Sequence, residues 1–231
     1  MFEKSLYRKA RGQMAVGNEK KGLELLEKLM EKKKVNIDMK VFYAFYLMKN
    51  GDFKKARQVF DRLILPFDEQ IEKSAKATKV QVKQNHALLL WKEGNLEEAI
   101  KITEEIIKNY KNTVVYGNLG YFYVLAKSEK ALEFNLEAYD FASDDAVILD
   151  NLGFSYYIAG NLEKAEEMYE KIHSGKKEPA FPEAYYNYGL VALKKGDKEK
   201  AKELFEKALL QKFSYLSDLD KETVEKALEE L

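Results

Sequence analysis

The sequence predicts an all-α protein built from repeated helical hairpins, and three observations lead there. The first is composition. Prolines occur only at positions 66, 179 and 182 of 231 residues, while 46% of the chain is apolar and 34% charged. That balance is too apolar for a disordered chain, and its abundance of Lys, Glu, Leu and Ala favours helix over strand. The second is a Gly-Asn or Gly-Asp dipeptide recurring between two helix-period patterns, as Gly17-Asn18, Gly51-Asp52, Gly94-Asn95, Gly160-Asn161 and Gly196-Asp197. The third is a lattice of small residues at fixed offsets from these turns.

Aligned on the turns, six repeats start near residues 3, 37, 80, 113, 146 and 182. Each turn has a local rationale. The glycine ends the first helix in the left-handed region without a Cβ penalty, and the Asn or Asp after it caps the second helix. Eight residues into each repeat stand Ala10, Ala44, Ala87, Gly120, Gly153 and Gly189. Twenty residues in, allowing one deletion near Ser128, stand Gly22, Ala56, Ala99, Ala131, Ala165 and Ala201. Gly and Ala together make up only 33 of 231 residues, so this coincidence requires a cause. The cause is close approach: where the two helices of a hairpin cross, only a small side chain fits. Substituting Leu at Gly153 or Ala165 is expected to force the helices of the fifth repeat apart.

Between the second and third repeats lie about nine extra residues around Pro66, in which Asp68 is placed to cap an extension of the next helix. After the last repeat, Asp220 is placed to cap a short amphipathic helix, with Leu219 and Val224 as a hydrophobic staple around it. Such a helix covers the apolar face that a terminal repeat leaves open. The organisation is one domain over 1–231, with repeats near 3–36, 37–70, 80–112, 113–145, 146–179 and 182–215 and a capping helix over 218–231.

These motifs resemble the tetratricopeptide repeat (TPR). The family places a large apolar residue at position 4, Leu at 7, Gly at 8, Tyr at 11, Ala at 20 and an aromatic at 24. The fifth repeat supplies Leu149, Leu152, Gly153, Tyr156, Ala165 and Tyr169, and the sixth supplies Tyr185, Tyr188, Gly189, Ala201 and Phe205. Departures are Lys9 and His86 where Leu is usual, and Thr103 and Asn135 where an aromatic is usual. The resemblance implies a right-handed superhelical solenoid whose first helices line a concave face. It also implies a non-enzymatic scaffold that binds a peptide segment or a protein surface in that groove.

In the family, concave position 6 is occupied here by Asn85, Asn118, Asn151 and Asn187 in four successive repeats. A carboxamide offers both donor and acceptor, so it can pair with a peptide group of any sequence. Beside it, positions 9 and 12 carry Leu88, Trp91, Tyr121, Phe154 and Tyr157, an apolar and aromatic strip of the kind that marks an interaction surface. The partner-binding residues expected from this pattern are Asn85, Leu88, Trp91, Asn118, Tyr121, Asn151, Phe154, Tyr157 and Asn187. The alternative for these positions is structural: asparagines that order the helices, and bulky residues that pack on one another. The family's clamp for acidic chaperone tails requires Lys at position 5. That position holds Tyr7, Val41, Gln84, Gly117, Asp150 and Tyr186, so chaperone-tail binding is not expected.

Chemistry is poorly represented. The chain has no cysteine and two histidines, His86 and His173, without metal-ligand spacing. No phosphate-binding loop is present, since Gly117 and Gly120 fall inside a helix pattern. No enzyme activity, metal site or cofactor is therefore expected. Net charge is zero, from 39 basic and 39 acidic residues, yet it is polarised along the chain. Residues 1–92 carry 21 basic and 11 acidic side chains, and the remainder carry 18 and 28. The basic part suggests a second reading, contact with an anionic surface. A membrane suits it better than nucleic acid, because the aromatics that could stack bases lie mostly outside the basic part. Self-assembly of oppositely charged ends is a third reading. With no apolar run long enough to span a bilayer and no leader-like start, a cytoplasmic protein is expected, membrane-associated if its natural N-terminus is longer.

Overall fold

A computed structural model describes residues 2–32, 35–64, 76–175 and 179–231. The expected cap at Asp68 lies outside these residues. The described chain is helical, with no strand among the described residues. It forms two compact units, 1–95 and 96–231.

In the first unit, α1 (Phe2–Ala15) pairs with α2 (Glu19–Met30), and α3 (Ile37–Lys49) pairs with α4 (Phe53–Val59). The latter runs on as a π-helical turn over Phe60–Ile64. Helix α5 (Lys76–Lys92) lies against α3 and α4. The expected turns form: Gly17, Gly51 and Gly94 all have φ near +80° to +90°. Asp52 then caps α4, its Oδ1 accepting from Lys55 N at 3.0 Å. Asn18 departs from the pattern. It makes no cap bond and its side chain donates to Gln13 Oε1 instead. His86, where Leu is usual, stacks on the buried Phe60 ring at 5.5 Å, so an aromatic face substitutes for an aliphatic contact.

The second unit holds α6 (Leu96–Asn109), α7 (Thr113–Leu125), α8 (Ala131–Phe141), α9 (Ala146–Ile158) and α10 (Leu162–His173). It continues with α11 (Pro182–Lys194), α12 (Lys198–Leu209) and α13 (Lys221–Glu229). Each helix packs on the next, and the first helices α7, α9 and α11 also stand side by side. Asn161 and Asp197 cap α10 and α12. Where the fourth repeat lacks its turn glycine, Lys127 takes the left-handed conformation, with φ 49°.

The small-residue lattice has the predicted cause. A Cβ on Gly153 would stand 2.9 Å from the Tyr169 ring, and one on Gly189 would press into the ring of Phe205, 2.7 Å from Cδ1. In the fifth and sixth repeats position 8 is thus kept bare to admit the ring at position 24. In the fourth repeat that ring is replaced by Asn135, which is fully buried with its Oδ1 against Gly120. Its Nδ2 donates to Ser155 Oγ at 3.0 Å, but its Oδ1 has no hydrogen-bond partner among the described residues. An unsatisfied buried acceptor of this kind costs about 1–3 kcal/mol.

At the C-terminus, Asp220 Oδ1 accepts from Thr223 N at 2.8 Å and caps α13. Val224 is fully buried in a core cluster with Phe205, Ala208 and Leu204, and Leu219 packs against the same cluster. The staple predicted around Asp220 is therefore in place.

Candidate functional site

The predicted site residues are divided between the units. Asn85, Leu88 and Trp91 belong to α5 in the first unit. Asn118 and Tyr121 are on α7, Asn151, Phe154 and Tyr157 on α9, and Asn187 on α11, all in the second. Trp91 is 6% exposed and Leu88 half-buried. Tyr121, Phe154 and Tyr157 are half-buried, with the last two stacked at 5.4 Å.

Three of the asparagines have partners within the protein. Asn85 Nδ2 donates to Val41 O at 3.4 Å, and Asn151 Nδ2 donates to Gly117 O at 2.9 Å. Asn187 Nδ2 donates to Asp150 Oδ1 at 3.0 Å. In each case the acceptor is on position 5 of the preceding repeat. The shared rule is geometric: position 6 of one first helix faces position 5 of the helix before it, and the amide bridges them. Asn118 is half-buried on α7.

Within the second unit a cavity of about 220 Å³ opens between the first helices. Tyr121 and Leu125 come from α7, Asp150, Asn151 and Phe154 from α9, and Glu183, Tyr186 and Asn187 from α11. The segment before α13 closes one side through Asp218 and Leu219, and Thr223 joins from α13 itself. Two hydrogen bonds secure that segment. Asp218 N donates to Tyr121 Oη at 3.1 Å across 97 residues of sequence, and the Ser217 hydroxyl donates to Glu183. Burial raises the Tyr121 and Tyr186 phenols above their ordinary range.

Asp150 is the electrostatic centre of this cavity. It is only 7% exposed, and burial pushes its carboxyl up to about 7, while the Asn187 amide opposes the shift. The nearby Glu183 carboxylate raises it further. Glu183, Tyr186 and Asp218 were not among the residues expected from sequence. Tyr186 and Asp150 occupy position 5, where the departure from the family's Lys was itself the signal. Asp218 had none, because it lies outside every repeat.

Among the described residues no group of three or more His, Asp and Glu is placed to hold a metal ion. His173 packs edge-on to Tyr185 at 4.8 Å. No helix among the described residues is long and apolar enough to cross a membrane.

Stacked helical hairpins whose first helices share one face define a helical repeat protein of the interaction-scaffold type. The chain carries tetratricopeptide repeats: tetratricopeptide repeat models match residues 84–113, 146–177 and 182–214. No curated protein matches it in sequence. Among solved structures it is similar to pilF of Pseudomonas aeruginosa, at 15% identity and a TM-score of 0.64 over 89% of each chain. It is also similar to a thermophilic TPR protein of Thermus thermophilus, at 18% identity and a TM-score of 0.65 over 85% of this chain and 100% of that one. A third similar structure is YrrB, described as a TPR protein with an unusual peptide-binding site, at 19% identity and a TM-score of 0.50 over 89% and 98%. At these identities the likeness establishes the fold.

Proposed function

We propose that this TPR protein is a non-catalytic scaffold that receives a peptide segment or protein surface on the first-helix face of its second unit. The observation that carries this reading is the cavity between α7, α9 and α11, with half-buried Tyr121, Phe154 and Tyr186 around it and the stacked Tyr157 beside Phe154. Half-buried aromatic rings bury large area on binding at small entropic cost. At about 220 Å³ the cavity is smaller than the ~300–1,000 Å³ of a site for a drug-sized ligand, and suits one or two side chains of a docked segment. The carboxylates within it oppose the binding of acidic tails. The asparagine ladder serves this site by fixing the spacing of the helices that form it.

The test is the double variant Phe154→Ala, Tyr157→Ala. Proteins captured by the wild type are identified by mass spectrometry, and binding of the leading one is measured with both forms. The variant is expected to bind at least tenfold more weakly while keeping its helicity. Unchanged affinity in a folded double variant removes the site from this face.

A second reading has an observation of its own. In the first unit, Arg8, Lys9, Lys20, Lys28 and Lys32 are exposed, and so are the apolar Phe2 and Val16. Lys33 and Lys34, which add to this charge, lie outside the described residues. An anionic membrane would attract such a surface by ~1 kcal/mol per cation close to it. In liposome flotation, binding is expected to require anionic lipid, to fade with salt, and to fall when Lys20, Lys28 and Lys32 become Glu. No flotation on strongly anionic vesicles at low salt excludes this second reading.

A further inference from the structure

We infer that the cavity of the second unit recognises a cationic side chain, lysine or arginine, presented by the docked segment. This rests on the groove reading above and specifies its occupant. The cavity brings three carboxylates, Asp150, Glu183 and Asp218, to one lining, and no lysine, arginine or histidine is among its described lining residues. The two deeper carboxylates accept from neutral donors: Asp150 from the Asn187 amide at 3.0 Å, and Glu183 from the Ser217 hydroxyl. Asp150 is 7% exposed and lies against the cavity, and with no cation among the described lining residues its ionised form is disfavoured, leaving it partly protonated near neutral pH. A buried charge without a counter-charge is unfavourable, and an incoming ammonium or guanidinium relieves it through charge-assisted hydrogen bonds.

The walls suit the same occupant. Tyr121, Phe154 and Tyr186 are aromatic lining residues against which the aliphatic stem of a long cationic side chain can pack, and a cation within about 6 Å of a ring centroid is attracted by the ring quadrupole. The protein already uses this pairing elsewhere: Lys200 Nζ lies 4.4 Å from the Tyr188 ring centroid and Lys92 Nζ lies 4.6 Å from that of Trp91. The segment before α13 sets the depth of the site. With Asp218 N held by Tyr121 and Ser217 held by Glu183, the cavity is closed on that side, so a side chain enters from the open face, where the buried Asp150 and half-buried Glu183 are among the lining.

The experiment titrates the full chain, labelled for amide NMR, with three peptides of the form acetyl-Ala-Ala-X-Ala-Ala-amide, where X is lysine, norleucine or glutamate. The lysine peptide is expected to shift amides around Tyr121, Phe154 and Asn187. Its affinity should exceed that of the norleucine peptide at least fivefold, and salt should erode that preference. The glutamate peptide should leave these amides unshifted. Glu183→Gln and Asp150→Asn should abolish the lysine preference. Equal binding of lysine and norleucine peptides in the wild type overturns the cation assignment and leaves the groove standing. No groove shift with the lysine peptide also overturns the assignment, and the Phe154→Ala, Tyr157→Ala capture experiment then decides separately whether the groove binds at all. The wild-type comparison of the three peptides requires no variant to fold.

Discussion

Gly189→Leu is expected to destabilise the protein by about 3 kcal/mol, near the upper end for overpacking a well-filled core. Residue 189 is buried on α11, where a Cβ would press into the ring of Phe205, 2.7 Å from Cδ1. That ring has nowhere to withdraw: it is fully buried with Ala201, Leu204 and Ala208, and Tyr186 lies against it at 5.5 Å. Urea unfolding followed by circular dichroism checks the expectation. The partner change Phe205→Ala is expected to cost ~3–5 kcal/mol alone, by leaving a cavity. Combined with Gly189→Leu it should cost less than the sum, because the new side chain occupies part of the vacated space. Gly153→Leu should cost less than Gly189→Leu, since Tyr169 stands 2.9 Å from the site of its Cβ. A Gly189→Leu protein that melts like the wild type contradicts the pairing of position 8 with position 24.

The second large effect depends on pH. Burial pushes the Asp150 carboxyl up to about 7 in the folded protein, against 3.8 for an ordinary aspartate. Below pH ~4 the carboxyl is protonated in both states and contributes nothing to the pH dependence. Between about 4 and 7 the folded protein holds a proton that the unfolded chain has released, so stability falls as pH rises. Above about 7 both states are ionised and the loss is complete. Asp150→Asn keeps an acceptor for the Asn187 amide and removes the charge. It should match the wild type near pH 4 and exceed it by about 2–4 kcal/mol at pH 8. Thermal or urea unfolding at a series of pH values measures this difference. A constant offset between the two proteins, independent of pH, would show that Asp150 does not titrate in this window. The gain in stability and the expected loss of cation binding by the same variant would share one cause, the burial of this carboxylate.

The hairpins were legible in the sequence because their determinants are local or strictly periodic. Gly160 followed by Asn161 specifies a left-handed turn and a cap within two residues, and both form. The capping of α13 by Asp220 and its staple were equally legible, being settled within a few residues. The small residue at position 8 repeats at a fixed spacing, so it announced itself even without knowledge of which side chain filled the space beside it. The sequence by itself therefore determined the helices, their order and which faces must meet.

What the tertiary structure decided was the use of the exposed-looking positions. A helix period marks Asn151 as facing away from its own hairpin, and only the neighbouring repeat shows that Gly117 O lies 2.9 Å from its amide. Trp91 belongs to the predicted aromatic strip, yet it is 6% exposed, because the burial of a ring depends on what packs over it. One side of the cavity is closed by a contact between Tyr121 and Asp218, 97 residues apart, and Asp218 lies outside every repeat. Local hydrogen bonds and side-chain volume act over a few residues and leave periodic traces. The electrostatics of Asp150 arise from burial and from Glu183 and Asn187, groups that only the packed helices bring together.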